Sequence, residues 1–216
     1  DLRHHLPESR KALLHSMIHG GWKRDAAFDG KFRQTGIRLR EESLRVLVIR
    51  LDRYAELVKQ YDSKDLLLFK FAVSNIAEDV FRERMEAETI DDAPDSIAVI
   101  LSEYVDAAET ERLANQVVQA VSRYLKLSVT IGLGIRVGRF EDLRHSWTTA
   151  VQAVGSRIWH GCGRVYPYVQ PHASGKRNQD YPLKAERKIT TALKAGDLDA
   201  VRKAFDEVVE CMRGCT

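Results

Sequence analysis

The sequence predicts an α+β fold in which helices pack on a mostly antiparallel sheet, with further helical segments at both ends of the chain. Two observations predict it. Strand-type and helix-type apolar patterns follow one another in the order β-α-α-β-β-α-β-α-β, without the strict alternation typical of parallel sheets. A polar stretch at 171–180 then precedes a last pair of helical patterns. With 216 residues, the chain is long enough to bury a core.

The first 40 residues are predicted to be helical. Apolar residues recur there at helical spacing until Gly20-Gly21, namely Leu6, Leu13, Leu14, Met17 and Ile18. A second short helix is expected at about 23–34, before Gly36. This segment therefore forms the N-terminal helical part of the predicted fold.

The first strand and the hairpin are predicted from continuous apolar runs. Residues 44–51 are apolar apart from two arginines, which indicates a strand buried on both faces. Two helices follow, the longer with Ser63 as its predicted N-cap and an apolar stripe over four turns. A short strand at 86–90, a tight turn at 91–95 and a strand at 96–101 then predict a hairpin.

The second half of the sheet is predicted in the same way. An amphipathic helix over 113–124 leads to a long strand at 127–137. A helix over 143–158 is closed by Gly161-Cys162-Gly163, and a short strand at 164–168 completes the sheet. These elements complete the predicted α+β layer.

The C-terminal segment is predicted to be a pair of helices. The first, at 185–195, ends at Gly196, and Asp197 caps the second. Apolar residues on the second helix form a stripe that needs a partner, and we interpret it as an interaction face: Leu198, Val201, Phe205, Val208 and Met212.

These patterns predict four segments. They are an N-terminal helical segment at 1–40, a central domain at 41–169, a linker at 170–180 and a C-terminal helical hairpin at 181–216. The first residue is not Met, so we expect a piece of a longer protein.

Composition excludes several classes of function. A net charge of +3 is too small to argue for nucleic-acid binding by itself. No apolar run reaches the ~18–20 residues that span a bilayer, and the polar start is unlike a signal peptide. The cysteines, Cys162, Cys211 and Cys215, are odd in number and lack the spacing of a disulfide framework. A reducing cytoplasm, with no membrane contact by this segment, is the expected location.

The sequence disfavours several other kinds of chemistry. His15 and His19 stand four apart on a helix, as in some Zn²⁺ sites, but no third ligand has matching spacing. The sequence contains neither a Gly-rich phosphate loop nor a G-x-S-x-G elbow, which argues against a nucleotide loop and a nucleophilic hydrolase. The tryptophans, Trp22, Trp147 and Trp159, are expected to be core residues rather than a ligand cage.

Three stretches of the central segment together resemble a known family. Val48-Ile49-Arg50-Leu51-Asp52-Arg53-Tyr54 is similar to a D-x-D-x-F motif, and Thr130-Ile131-Gly132 to an S-I-G strand. Residues 150–161, followed by Arg164-Val165, are similar to a closing helix and final strand. In this order and spacing they resemble the GGDEF-type domain, the diguanylate cyclase fold. The resemblance covers about 44–168 and implies a ferredoxin-like, nucleotidyl-cyclase-like sheet.

The resemblance implies that the catalytic residues are replaced. In active members, carboxylates from the first strand and the signature hairpin hold two divalent cations. Here Arg50 stands at the first-strand carboxylate, and Ala93-Pro94-Asp95-Ser96-Ile97 at the signature. Both glycines and the catalytic acid are changed, to Ala93, Pro94 and Ser96, and only Asp95 remains acidic. We therefore expect no cyclase activity, no metal and no cofactor.

The ligand-reading positions are also changed. The guanine-reading residues of the family fall on Val58 and Leu67, which suggests either a filled cleft, the favoured interpretation, or an apolar ligand. In the family's product site, R-x-x-D, the Arg is Arg84 and the Asp is Ala87. We interpret Arg84 as an ordinary surface residue.

The wider pattern resembles the GGDEF-like middle segment of AraC-type bacterial transcriptional regulators. The similarity rests on the helix at 6–14, on Asn75-Ile76-Ala77-Glu78, on Tyr181-Pro182 and on Ala195-Gly196-Asp197. It implies a non-catalytic relay between a receiver or membrane sensor and a C-terminal helix-turn-helix module of the parent protein, through which alone DNA would be bound. A homodimer is also expected. The alternatives are a small-molecule or nucleotide sensor using the former cyclase cleft, and an enzyme with residual nucleotide chemistry.

Overall fold

The structure is a computed structural model that describes residues 2–22, 24, 28–170, 188–193 and 196–213. The chain divides into two compact units, 1–169 and 170–216, which are described separately. The predicted linker stretch 171–180 lies outside the described residues, and the four predicted segment boundaries stay predictions.

The first unit is built on a five-stranded sheet with strand order β2-β3-β1-β4-β5. Its strands are β1 (Leu44–Leu51), β2 (Glu86–Ala93), β3 (Ser96–Ser102), β4 (Val129–Val137) and β5 (Val165–Pro167). β1 lies between β3 and β4 and is antiparallel to both, β2 is antiparallel to β3, and β5 runs parallel to β4. The sheet is therefore mostly antiparallel, which confirms the predicted α+β class.

Helices cover both faces of this sheet. They are α1 (Leu2–His19), α2 (Phe28–Gln34), α3 (Tyr54–Gln60), α4 (Ser63–Arg82), α5 (Ala107–Leu125), α6 (Leu143–Gly155) and α7 (Arg157–His160). Apolar residues of α4 and α5 form one core cluster with one face of the sheet, and those of α1 and the start of α6 form a second cluster with the other face. Among the helices described, none is long and apolar enough to cross a membrane.

β1 is buried on both faces, as its sequence predicts. Leu47 and Ile49 join the cluster under α4 and α5, whereas Val46 joins the cluster under α1. Only Arg45 and Arg50 in this strand are half-buried. Alternation of side chains along a strand places successive apolar residues in the two layers, so a continuous apolar run is required here.

The contact between β4 and α6 depends on two glycines. A Cβ added at Gly132 would lie 2.2 Å from the Ala150 carbonyl oxygen, and one at Gly134 would lie 2.1 Å from that of Ser146. Both distances are far below van der Waals contact, so only glycine lets the helix backbone approach the strand. Ser146 strengthens this contact because its Oγ accepts a hydrogen bond from the Val46 N–H (2.8 Å) and donates one to the Ile135 carbonyl (2.6 Å).

Two local predictions are wrong. β2 extends to Ala93, because Asp91 and Ala93 pair with β3, so the turn contains only Pro94 and Asp95. The N-cap of α4 is Asp62, not Ser63: its carboxylate accepts hydrogen bonds from the backbone N–H groups of Lys64 (2.8 Å) and Asp65 (2.9 Å). Asp62 has the extended backbone of an N-cap, whereas Ser63 is already helical.

The second unit contains α8 (188–193) and α9 (Leu198–Arg213). As predicted, Asp197 caps α9, since its Oδ1 accepts a hydrogen bond from the Ala200 N–H at 3.0 Å. On the predicted interaction face, Leu198 and Phe205 are exposed and Val201 is half-buried. The side chains of Val208 and Met212 lie outside the described part of the chain. Use of this face for interaction therefore stays a prediction.

Candidate functional site

The candidate site lies where β1 ends beside the β2–β3 hairpin. In the sheet, Arg50 pairs with Ser96 of β3 on one side and with Thr130 of β4 on the other. The Leu51 N–H donates a 2.8 Å hydrogen bond to the Asp95 carbonyl, which holds the hairpin turn against the end of β1. The structure thus brings together the predicted positions Arg50, Asp95 and Ser96.

Arg50 and Asp95 form an ion pair at this end of the sheet. Arg50 Nε lies 3.3 Å from Asp95 Oδ2, although the two are not aligned as a hydrogen bond. Their side chains are 30% and 25% exposed. The pair therefore holds a positive charge within contact distance of the only acidic side chain in Ala93–Ile97, and this charge repels any cation that approaches that carboxylate.

Ser96 is fully buried and belongs to a polar cluster around Asp92, which we call the Asp92 cluster (His19, Asp92, Ser96 and Trp147). Asp92 Oδ2 accepts a hydrogen bond from Ser96 Oγ, and Asp92 Oδ1 accepts one from Trp147 Nε1, both at 3.0 Å. His19 Nε2 lies 3.0 Å from the same Oδ1, without hydrogen-bond alignment. Ser96 is therefore occupied as a donor inside the protein.

The surroundings of His19 disfavour its charged form. Burial lowers the pKa of His19, the neighbouring His15 lowers it further, and the Asp92 carboxylate opposes both effects. The His15 and His19 rings lie 4.2 Å apart, so the two residues are adjacent as their spacing predicts. Among the residues described, however, no group of His, Cys, Asp and Glu side chains is arranged to hold a metal ion.

Asp52 lies apart from this cluster and is held inside the protein. Its carboxylate accepts hydrogen bonds from Ser128 Oγ (2.6 Å), Thr130 Oγ1 (2.8 Å) and the Gly163 N–H (3.0 Å). Arg157 Nη1 lies 3.3 Å from the same carboxylate. Asp52 thus joins the end of β1 to β4, to α7 and to the loop before β5, so its position in the motif has a structural role here.

A cleft of about 670 Å³ lies between α1, α4 and the outer edge of β2. Leu67, one of the positions matched to guanine-reading residues, lines this cleft and is 61% exposed, and Val58 is 50% exposed. The interpretation of these two residues as the filling of a cleft is therefore wrong. Beside the cleft, Lys70 Nζ donates to the Ala93 carbonyl at 2.6 Å and pairs with Asp91 at 2.7 Å, which covers the end of the edge strand.

Sequence reasoning missed Asp92, Trp147 and Lys70 as parts of this region. In the sequence, Asp92 is one of several carboxylates of the predicted turn, and nothing indicates that its side chain is enclosed while that of Asp91 is exposed. Trp147 and Lys70 lie in ordinary amphipathic helix patterns, so nothing in the sequence marks them as part of this region. At the predicted product-site positions, Arg84 is exposed and Ala87 is buried, as expected for a surface residue beside a strand.

Comparison with known proteins identifies the fold family. The family described as GGDEF-like domain matches residues 19–155. Among solved structures, the active GGEEF domain of a diguanylate cyclase from Vibrio cholerae is similar, with 14% identity, a TM-score of 0.51 and coverage of 76% of this chain and 97% of that one. The GGDEF domain of YfiN (or TpbB) from Pseudomonas aeruginosa has 20% identity, a TM-score of 0.50 and coverage of 70% and 99%. Comparison with curated proteins yields no match. Because the family match spans more than half of the residues, the chain belongs to the GGDEF-like domain family.

Proposed function

We propose that this chain is a non-catalytic relay domain of a bacterial AraC-type transcriptional regulator. It would couple an input module, either a receiver or a membrane sensor, to a C-terminal helix-turn-helix module in a longer cytoplasmic protein. The main support for the proposed loss of catalysis is the ion pair between Arg50 and Asp95 at the end of the sheet.

Arg50 opposes metal binding at the position where the family resemblance places a metal carboxylate. Two like unit charges 4 Å apart repel by ~4 kcal/mol at the effective dielectric near a protein surface, and a divalent ion doubles this repulsion. Asp95 offers little compensation, because its charge is already balanced by the guanidinium. A magnesium-nucleotide complex therefore gains nothing from this pair of residues.

The rest of the hairpin supports the same proposal. Ser96 has no carboxylate, is buried, and donates its hydroxyl proton to Asp92. Pro94 has no backbone N–H, and Ala93 has its carbonyl bonded to Lys70. The turn thus lacks both the acidic ligand and the glycine backbone that the family's signature supplies for a triphosphate.

The regulator context rests on the two ends of the chain. The similarity to AraC-type proteins includes the helix at 6–14, which belongs to α1, and the start of α9, capped by Asp197. Leu198 and Phe205 on α9 are exposed and provide apolar surface for a partner. We propose that this partner is a second copy of the chain, so that the protein forms a homodimer. DNA would be bound by the helix-turn-helix module alone.

Calorimetric titration of the purified chain with GTP and Mg²⁺, and then with cyclic di-GMP, tests the loss of catalysis. We expect no heat of binding and no formation of cyclic di-GMP. The matched variant Arg50→Asp restores a carboxylate at the first-strand position and should gain weak Mg²⁺ binding. Micromolar GTP binding or product formation by the unmodified chain would overturn the proposal.

A second candidate function is a small-molecule sensor, favoured by the open cleft beside α4. Leu67 and Phe71 line that cleft with exposed apolar side chains. Native mass spectrometry of the chain purified from its bacterial host should then detect a bound compound. The variant Phe71→Glu should lose this compound, whereas the exposed and remote Tyr124→Glu should retain it.

A further inference from the structure

Among the described side chains of α1, two make polar contacts with the edge strand β2. Near the base of the hairpin, Arg10 forms an ion pair with the buried Glu88. Near its tip, His19 lies 3.0 Å from Asp92. The nine residue steps from Arg10 to His19 rise about 13.5 Å in a helix, and the four steps from Glu88 to Asp92 extend about 13 Å in a strand. The two contacts therefore match in spacing, and α1 runs beside β2 in the same direction.

A β-bulge aims Asp92 at this contact. The register of β2 against β3 shifts between Asp91 and Ala93, which leaves Asp92 as the extra residue. Bulges redirect side chains and recur beside functional sites. Here the Asp92 side chain is only 5% exposed and meets α1 through His19, α6 through Trp147 and β3 through Ser96. One carboxylate thus joins α1 and α6 to the hairpin.

α1 is also held firmly against the sheet. Leu14, Met17 and Ile18 are buried in the core cluster that contains Ile90 of β2 and Ala98 of β3. Close packing of this kind transmits displacements, because a packed interface has few intermediate arrangements. A shift of α1 along its axis would therefore act on β2 through this apolar contact and through both polar contacts.

We propose that α1 and the β2–β3 hairpin act as one mechanical unit, in which Asp92 passes a displacement of α1 to the Pro94-Asp95 turn. This inference rests on the proposed relay function and specifies the residues through which the displacement would pass. The route ends at the turn itself. There the Asp95 carboxylate pairs with Arg50, and the Asp95 carbonyl accepts a hydrogen bond from the Leu51 N–H.

Hydrogen exchange of single amides in the folded chain tests this coupling. In His19→Leu, we expect the Leu51 amide, which is bonded to Asp95, to exchange about five- to tenfold faster, the factor that corresponds to one lost polar contact. The Ile131 amide, bonded to Arg164 across the sheet, should keep its rate. The matched control Lys11→Ala changes an exposed residue of α1 and should alter neither rate.

A double-mutant cycle separates a relay from a merely structural contact. In Ser96→Ala the Asp92 cluster loses its link to β3, so adding His19→Leu should no longer accelerate exchange at Leu51. His19→Gln, which keeps a polar side chain, should lie between wild type and His19→Leu.

The results that overturn the coupling are equally specific. Equal acceleration at Leu51 and Ile131, full additivity in the cycle, or unchanged rates in His19→Leu would each exclude a route through Asp92. None of these measurements uses a nucleotide. Binding of GTP would therefore reject the proposed function and leave the coupling result standing.

Discussion

Asp52 and Asp95 are both acidic residues in stretches that the sequence resemblance matches to family motifs, yet their surroundings differ. The Asp52 side chain is 1% exposed and accepts hydrogen bonds from four groups, one of which is the Arg157 guanidinium. The Asp95 side chain is 25% exposed and has one ion pair, with Arg50. Asp52, which has the more extensive contacts, is thus a structural residue, and Asp95 in the hairpin turn is only loosely held.

The difference follows from solvation. A buried carboxylate without partners would lose its hydration, so Asp52 is stable only because each nearby donor replaces a water molecule. Asp95 keeps part of its hydration, so its ion pair adds little. Identity with a motif therefore does not establish a catalytic role, and the number and burial of the partners help to decide it.

Asp52→Ala should have the largest effect. It leaves the half-buried Ser128 and the buried Thr130 hydroxyls without this acceptor and Arg157 without its counter-ion. We expect the free energy of unfolding to fall by about 3 kcal/mol or more, measured by urea denaturation. Asp52→Asn keeps a hydrogen-bond acceptor, so its free energy of unfolding should fall by less. Equal stability of Asp52→Ala and wild type would remove the contrast between the two acids.

Ser128→Ala should have an intermediate effect. It removes one of the donors to Asp52, at 2.6 Å, and leaves the others in place. The expected loss is about 1–2 kcal/mol by the same measurement, since the acceptor is charged and buried. Ser74→Ala, a half-buried serine on α4, serves as the control and should stay within about 0.5 kcal/mol of wild type. If Ser128→Ala loses less stability than the control, its hydrogen bond to Asp52 does not stabilise the fold.

Asp95→Asn should have a small effect. Its single ion pair is partly exposed, so the expected loss is below about 1 kcal/mol and should shrink further at high salt. Denaturation at 0.05 and 1 M NaCl checks both statements. A loss larger than that of Ser128→Ala would reverse the comparison.

The smallest expected effect concerns pH at the Asp92 cluster. The folded chain holds the pKa of His19 below its ordinary value through burial and through His15, against the opposing effect of Asp92. The unfolded chain therefore binds more protons below about pH 6.5, and stability should fall as the pH drops through that range. Melting curves at pH 7.5 and 5.5 should show a smaller decrease for His19→Gln. An equal decrease would exclude His19 as the cause.

Much of the fold could be predicted because local patterns and tertiary packing agree. The apolar run at 44–51 predicts a central strand, and Leu66 and Val73 of the predicted apolar stripe lie on the buried face of α4. Asp197 is an N-cap by its position before an amphipathic stretch, and the structure confirms it. At these places, each residue alone favours the conformation that the whole fold requires.

The candidate site was less predictable. The acidic residues and Pro94 predict a tight turn at 91–95, but pairing with β3 extends β2 to Ala93, and the strand contains a β-bulge at Asp92. Val58 and Leu67 are apolar, yet both are exposed. Burial of single side chains depends on elements distant in the chain, which residue type alone does not specify.

The sequence by itself therefore determined the α+β class and the order of elements, because these depend on composition and periodicity along the chain. The replacement of motif residues by Arg50 and Ser96 is an expectation that rests on the family resemblance and stays a prediction. Only the tertiary structure decided that Arg50 meets Asp95, that Asp52 is enclosed by β4 and the loop before β5, and that Asp92 links α1 to the hairpin. Such contacts join residues up to 111 positions apart, and their energies depend on distance and solvent exclusion, which only the folded arrangement establishes.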